Sequence, residues 1–509
     1  MEFSVDERNF IGMRFYLSVK EAIMNENFSL EHTRNILIEH SDNPNITPDI
    51  LCFLVDLAIW QGRYTVYDLI SNYFHEFQSK NSSAANAFTA SEINKDVSSV
   101  QIQTHNAVIV YIQRIQYSSI KDEMMKISCG SSCVSLNIKL HTAHDHIIDC
   151  SRFLICKNVG CVEFQMHDGE KGTLSLEEAF VEQLYNSQSR PKDYEFHLSG
   201  ATIIVQTLAY WPFHCLYLDE ILPYDSWTGE LPLLIGHRGS GQHGGPHGIC
   251  ENTIESFARA GTDGADYVEM DIQLSKDMIP VVYHDFTVAG VGEGIERSIG
   301  ELSATELRSL LSSDISGNFC TLEEALEKVD IRIGFNIELK YPTFKSSSED
   351  HLSIPGINMY CDRILDVVLS SLANRRRPIF FSSFNPFVCH VMRLKQDRFR
   401  VLLLTSAGVS QYRKGVPMAP SAAQVSLGKA VRTAVSCGLD GIVCEAEVFV
   451  KAARLIAKIK AETGLAVMTY GSSNNEAISA QLQISHGLDA IIADDVAAIR
   501  TVLNSLRST

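Results

Sequence analysis

The chain is 509 residues long, 45% hydrophobic and 20% charged, with only 14 prolines. That length exceeds one ordinary domain, and the composition is that of a globular protein rather than a disordered or fibrous one. A net charge of −18 argues against a nucleic-acid partner, which needs clustered Lys and Arg to displace counterions, but permits a small phosphate-bearing ligand that needs only a few local cations.

Met1 to Arg8 carry neither a basic n-region nor an apolar h-region, so no secretory signal is expected. The apolar stretch from Ile50 to Trp60 is short and holds Asp56, which predicts a core helix and no stable membrane insertion. Thirteen irregularly spaced cysteines read as reduced thiols and point to a cytoplasmic protein.

Residues 1–80 read as a helical segment. Thr47 stands as an N-cap before Pro48, and Leu51, Leu54, Val55 and Ile59 follow at helical spacing. A second run holds Tyr67, Ile70 and Phe74. Small and polar residues over 81–99 read as a linker. Over 100–225 the pattern turns to short β-like runs (107–112, 134–140, 201–207) with glycine-bearing turns such as 168–172, which predicts a β-sandwich-like domain. The N-terminal region is a candidate for holding a protein partner. His141, His144 and His146, near Cys129, Cys133 and Cys150, fit no standard zinc spacing; polar loop residues and buried thiols account for them.

Over 230–509 apolar strands alternate with amphipathic helical stretches. The strands read at 233–237, 267–273, 281–284, 333–340, 379–384, 400–405, 441–445, 466–470 and 490–494. Repeated strand–helix units of this length predict an α/β architecture, a (β/α)8 TIM barrel, rather than an open sheet. Nine candidates compete for eight places, so one of 281–284 and 441–445 is surplus. No Gly-x-Gly-x-x-Gly follows the first strand, which weakens a dinucleotide-binding reading.

Two strands carry chemistry. In 267–274, Glu269, Asp271 and Gln273 share one face and Val268, Met270, Ile272 and Leu274 the other. In 333–340, Asn336, Glu338 and Lys340 lie opposite Phe335, Ile337 and Leu339. Barrel strands turn their apolar face to the covering helices, so the polar faces point inward. Burying Glu269, Asp271 and Glu338 together costs several kcal/mol per ion unless a cation neutralises them. Three carboxylates without Cys or His favour a hard ion, Mg²⁺ or Ca²⁺. The competing reading is a half-exposed strand with a solvated polar face.

His237 and His284 each close an apolar run, as expected for catalytic groups at the C-terminal rim of a barrel. Two imidazoles there can take a proton from a nucleophile and return one to a leaving alkoxide. Three carboxylates with a divalent cation leave about −1, and Arg238 and Lys340 bring the site to about +1, a match for a singly charged phosphodiester. Asn252 to Glu255 resembles a capping box. Glu251 before it could steady Arg238 or charge a helix N-terminus. The glycine-rich stretch from Gly239 to Gly248 reads as a mobile rim loop.

His237-Arg-Gly, Glu251-Asn-Thr, Gly264 to Asp271, Ser275-Lys-Asp277, Pro280 to Asp285 and Ile337-Glu-Leu-Lys340 together resemble the glycerophosphodiester phosphodiesterase family. Phe381-Ser-Ser-Phe384 and Met468-Thr-Tyr-Gly471 look most like its eukaryotic glycerophosphocholine phosphodiesterase branch. The resemblance implies Glu269, Asp271 and Glu338 as metal ligands and His237 and His284 as acid and base. It implies Arg238 and Lys340 as phosphate contacts, with Glu251 and Tyr470 beside the substrate. Its chemistry is metal-dependent hydrolysis of a small glycerophosphodiester, most of all glycerophosphocholine, to glycerol 3-phosphate and the free alcohol. Cys250 replaces the family's usual Pro, and Tyr470 its usual Trp. Nothing in 1–80 resembles the starch-binding domain common in that branch, so no carbohydrate binding is expected. A choline headgroup asks for aromatic rim residues, and Tyr341, Phe384 and Tyr470 are the candidates. Two other readings remain: a lysophospholipase D-type enzyme, which requires an apolar groove beside the rim, and an inactive regulatory or scaffold protein, which loss of a key residue would favour.

Overall fold

The computed structural model describes residues 7–24, 30–39, 48–80, 106–117, 123–129, 136–140, 147–156, 161–165, 171–176, 191–198, 201–213, 232–289, 296–314, 319–343, 352–372, 376–410 and 421–507. The expected linker over 81–99 and the histidines at 141–146 lie outside them.

Among the described residues four helices come first: α1 (Glu7–Met24), α2 (Leu30–Glu39), α3 (Pro48–Trp60) and α4 (Tyr64–Lys80). Helix α3 opens on Pro48, whose missing N–H costs nothing in a first turn. Leu51, Leu54 and Val55 meet Phe15, Val19 and Ile36 in one apolar cluster. Ile59 and Tyr64 turn away from it into the large core that covers the barrel.

Among the described residues eight strands follow, in two antiparallel sheets. Strands β1 (Ala107–Tyr117), β4 (Ile147–Cys156), β7 (Lys192–Leu198) and β8 (Ala201–Tyr210) form one sheet in the order β4-β1-β8-β7. Strands β2 (Glu123–Cys129), β3 (Leu136–Leu140), β5 (Cys161–Gln165) and β6 (Lys171–Ser175) form the other, in the order β3-β2-β5-β6. Period-2 alternation gives β1 two jobs. Val108, Val110 and Ile112 pack inward with Ile127, Val162 and Phe164 of the facing sheet. Ala107, Ile109 and Tyr111 point outward into the core that covers the barrel. Cys156, in the core between the sheets, is disulfide-bonded, which departs from the expectation of reduced thiols throughout; among the described residues seven other cysteines, Cys250, Cys320 and Cys361 included, are free.

The third unit is a closed eight-stranded parallel barrel. It runs β9 (Leu233–Gly236), β10 (Tyr267–Leu274), β14 (Gly334–Leu339), β15 (Ile379–Ser383), β16 (Arg400–Thr405), β17 (Gly441–Glu445), β18 (Ala466–Tyr470) and β19 (Ala490–Ala493). The ring closes where β19 pairs with β9 and β9 with β10. The surplus strand is the one near 281–284. There β11 (Pro280–Val282) pairs antiparallel with the end of β10 and stands outside the ring. A short hairpin, β12 (Thr287–Ala289) with β13 (Glu296–Ser298), follows it.

Alternation sorts the barrel's residues. Leu233, Ile235, Tyr267, Phe380, Leu402, Val443, Met468 and Ile492 fill its interior. Val268, Met270, Ile272, Phe335, Ile337 and Leu339 face the surrounding helices.

Candidate active site

Strand β10 delivers Glu269 and Asp271 into the barrel, and β14 delivers Glu338 directly beside Asp271. Ligand oxygens of the three lie within 4.8 Å of one another, and their residues are 4%, 1% and 8% exposed. Glu269 Oε1 is buried without a hydrogen-bond partner. Burial, with Asp271 and Glu338 alongside, pushes the Glu269 carboxyl up to about 8. Burial opposes ionisation of Asp271 too, but Lys340, His284 and Arg238, with the Asn252 amide, hold it below its ordinary range. An orphaned buried acceptor among three clustered carboxylates fits a divalent oxygen-seeking cation, so the residues could hold one.

Two left-handed non-glycine residues shape the turn after β9. Arg238 (φ 49) donates its backbone N–H to Glu269 Oε2 at 2.8 Å and accepts from Asn252 N at 3.0 Å. Asn252 (φ 57) donates its amide to Asp271 Oδ2 at 2.8 Å. Such backbone costs about 1–3 kcal/mol per residue and marks sites that surrounding structure over-determines. Because Asn252 is left-handed and committed to Asp271, it does not cap the helix α5 (Ile254–Thr262). Thr253 does, accepting from Ser256 N. The N-cap expected at Asn252 therefore falls one residue later, and Ser256, not Glu255, takes the third helical position from which a capping box would reach back.

The cations are already engaged. Arg238 Nη1 donates to Glu251 Oε1 at 2.6 Å, and Arg238 Nε lies 3.5 Å from Asp271. Lys340, just past β14, reaches Asp271 at 3.2 Å and Glu338 at 3.1 Å. Burial works against charge on Lys340, but Glu338 and Asp271 outweigh it and keep the ammonium above its ordinary range.

Each histidine sits on an aspartate. His237 ends β9, and its Nδ1 is 2.8 Å from Asp494 Oδ1 at the end of β19. Burial favours the neutral ring, but Asp494 and then Glu269 reverse this and raise the imidazole above its usual value. Asp494 accepts from Gln242 N at 3.0 Å and from Asn475 Nδ2 at 2.9 Å. Burial resists its charge, yet His237 and these donors bring it down to about 2. His284 does not end a barrel strand as expected; it follows the antiparallel β11. Its Nδ1 is 2.6 Å from Asp285, with a side chain 33% exposed.

The structure thus brings together His237, Arg238, Glu251, Glu269, Asp271, Glu338 and Lys340, with His284 in electrostatic reach of Asp271. Tyr470 stands apart, edge to face with Phe384 at 5.8 Å on the inner wall of the rim. Tyr341, 3% exposed and bonded to the Pro355 carbonyl, packs against Tyr360 and offers no rim surface. The glycine-rich stretch forms a 3-10 turn, Gln242–His247, with His247 2.9 Å from Asp263. Sequence reasoning missed Asp494 and Asn475. Asp494 obeys the same strand-end rule as His237 and was legible; Asn475 lies in a loop turn and left no pattern.

A family model described as the glycerophosphoryl diester phosphodiesterase family matches residues 237–498. The chain belongs to that family. The match begins at His237 and covers the barrel alone. A glycerophosphocholine phosphodiesterase of Candida albicans is 34% identical over 54% of this chain and 29% of its own length. One from Schizosaccharomyces pombe is 32% identical over 53% of this chain and 28% of its own. This chain therefore spans under a third of the length of those two relatives. A chloroplastic glycerophosphodiester phosphodiesterase of Arabidopsis thaliana is 31% identical over 54% of this chain and 81% of its own. Among the described residues no helix is long and apolar enough to cross a membrane.

Proposed function

We propose that this chain hydrolyses glycerophosphodiesters, glycerophosphocholine foremost, to glycerol 3-phosphate and the free alcohol. The observation that carries the reading is the convergence of three buried carboxylates, one with an orphaned oxygen, on two cations and two His–Asp pairs at a single rim. Family membership and the names of the fungal relatives support it.

Glu269, Asp271 and Glu338 would hold a Mg²⁺ or Ca²⁺ ion, which would supply positive charge to a bound phosphate. Arg238 and Lys340 give part of their hydrogen-bonding capacity to the diester phosphate, Arg238 as a fork steadied by Glu251 and Lys340 as a point charge. Their present pairing with Asp271 and Glu338 keeps them within reach of it. Asp494 holds His237, and Asp285 holds His284, by Nδ1, so each imidazole presents Nε2 to the reactants. One ring takes the proton of the attacking oxygen as its bond to phosphorus forms; water gives glycerol 3-phosphate directly, whereas the neighbouring glycerol hydroxyl gives a cyclic phosphate that a second attack, by water, opens to glycerol 3-phosphate. The other protonates the alkoxide as the phosphorus–oxygen bond to the headgroup breaks. Tyr470 lines the substrate's place on the rim.

Purified protein given glycerophosphocholine and Mg²⁺ is expected to release choline and glycerol phosphate in equal amounts, with EDTA abolishing release. Absence of turnover of choline, ethanolamine, inositol and glycerol diesters alike, with either ion, would overturn the reading.

A further inference from the structure

The two histidines of the rim are mounted differently. His237 ends a barrel strand and leans on Asp494, which strand β19 and Asn475 hold in turn. His284 follows the three-residue β11, outside the ring, and its side chain is partly exposed. Its aspartate, Asp285, is the next residue in the chain and mostly exposed. That pair orients the imidazole on its own backbone but does not place the backbone. Strand β10 does. Its pairing with β14 ends at Ile272, and Ile272, Gln273 and Leu274 pair with β11. Gln273, buried, follows Glu269 and Asp271 on the same strand face, about 6–7 Å beyond Asp271 at the usual rise. Its Nε2 donates to the carbonyls of Tyr283 and Asp285, each at 2.8 Å. One amide nitrogen thus commits both its protons to the carbonyls of the residues that bracket His284. Tyr283 N donates to Asp271 O at 2.9 Å and ties the same loop to the strand a second time.

We infer that Gln273 is a positioning residue that fixes His284 relative to Glu269 and Asp271, the carboxylates of its own strand. The inference rests on the glycerophosphodiesterase reading for what His284 does. An acid or base works only within hydrogen-bond reach of the reacting oxygen, and a misplacement of about 1 Å costs on the order of 10²-fold in rate. A histidine on a barrel strand has its place set by the ring. A histidine on an appended loop needs an anchor, and the Gln273 amide holds the backbone on both sides of residue 284 without touching the imidazole. Strand β10 then carries two tasks in succession on one face: Glu269 and Asp271 serve the charge centre, and Gln273 holds the acid–base loop against it. The distance between the two is set by the strand itself, the stiffest ruler the barrel offers.

The test uses Q273M, which matches the side chain in length but has no donors, and Q273N, which keeps the amide one methylene short of the loop. Q273N, the milder change, carries the test should Q273M not fold. Each is made in the wild-type chain and in H284A. In the wild-type background kcat for glycerophosphocholine is expected to fall roughly 10–10²-fold, with KM and the Mg²⁺-induced rise in melting temperature unchanged. In the H284A background the same substitutions should change kcat by less than about twofold, because no imidazole is left to misplace. Equal losses in both backgrounds, an unchanged kcat in the wild-type background, or a loss that follows KM or the Mg²⁺ response would overturn the inference. A second readout needs no turnover. In ¹³C–¹H spectra of histidine-labelled protein, the His284 ring signal, assigned by its absence in H284A, should be single in the wild type and broaden or split in the Gln273 variants. An unaltered signal would overturn the inference too. A chain that shows the spectral change but hydrolyses no diester would uphold the positioning and sink the enzymatic reading.

Discussion

His284 is the residue whose removal reports most directly on the chemistry. Its side chain is 33% exposed and its hydrogen bond runs to Asp285, itself 69% exposed, so little packing depends on it. H284A is expected to lose roughly 10²–10⁴-fold in kcat, the usual worth of a positioned acid or base, while its melting temperature stays at the wild-type value. Retained activity in that variant would remove His284 from the reaction. Glu269 carries a separate prediction about pH. Its carboxyl is raised from 4.5 to about 8, so the folded protein binds a proton there that the unfolded chain has shed. Stability without metal should therefore fall as pH climbs through that interval, because the native state holds the extra proton. Asp271 shifts the opposite way, and its contribution is lost only in acid, below this window. Melting temperatures in EDTA should drop between about pH 5 and pH 8, and excess Mg²⁺ should shrink the drop. A flat profile in EDTA would mean that the three carboxylates are not the strained cluster described.

At the scale of elements, much of the site is owed to ordinary strand alternation, which was readable in advance. Glu269, Asp271, Glu338 and Lys340 were placed inward because apolar neighbours at every second position had to face helices. The surplus strand could not be eliminated that way. Val281-Val-Tyr has the composition of a barrel strand, and only pairing direction shows β11 to be an antiparallel appendage. Period 2 is identical in parallel and antiparallel strands, so sequence pattern is blind to the difference. The far end of the barrel holds a device with no local signature. Arg377, 1% exposed, donates to the carbonyls of Asp330, Ile333, Leu326 and Val329 and lies 4.1 Å from the Phe335 ring centre. It ties the end of the helix Leu322–Lys328 to the start of β14. R377A should cost about 3 kcal/mol or more, since several buried carbonyls lose a charged donor at once. R377K should recover little, because an ammonium cannot fork to four acceptors. Thermal melting of both variants is the measurement, and a wild-type melting temperature in R377A would refute the clamp.

For the whole molecule, the sandwich and barrel share one apolar core. Tyr111 and Phe153 from the sheet pack on Phe387 of the helix Pro386–Lys395, at 5.8 and 5.2 Å between ring centres. Beside them Lys395, its side chain 0% exposed, bonds the Trp211 carbonyl at 2.7 Å and Asp362 at 2.9 Å. Asn358 adds a bond to the Ala209 carbonyl at 2.8 Å. These contacts predict a single calorimetric transition for sandwich and barrel together. K395A should lower it by about 3–5 kcal/mol, because Asp362 is left as a largely buried charge without its partner. Two resolved transitions in the wild-type chain would show that the shared core does not couple them.

The sequence by itself determined the barrel, its inward carboxylates, the strand-end His237 and the family, because each follows from residue type and spacing within one strand or turn. Only the tertiary structure decided which strand lay outside the ring, and that His237 leans on Asp494, 257 residues away. It also set Tyr341 into the packing while leaving Phe384 and Tyr470 on the rim. Ring closure is the reason: it joins the last strand to the first and gathers eight strand ends on one circle, making neighbours that no local period records.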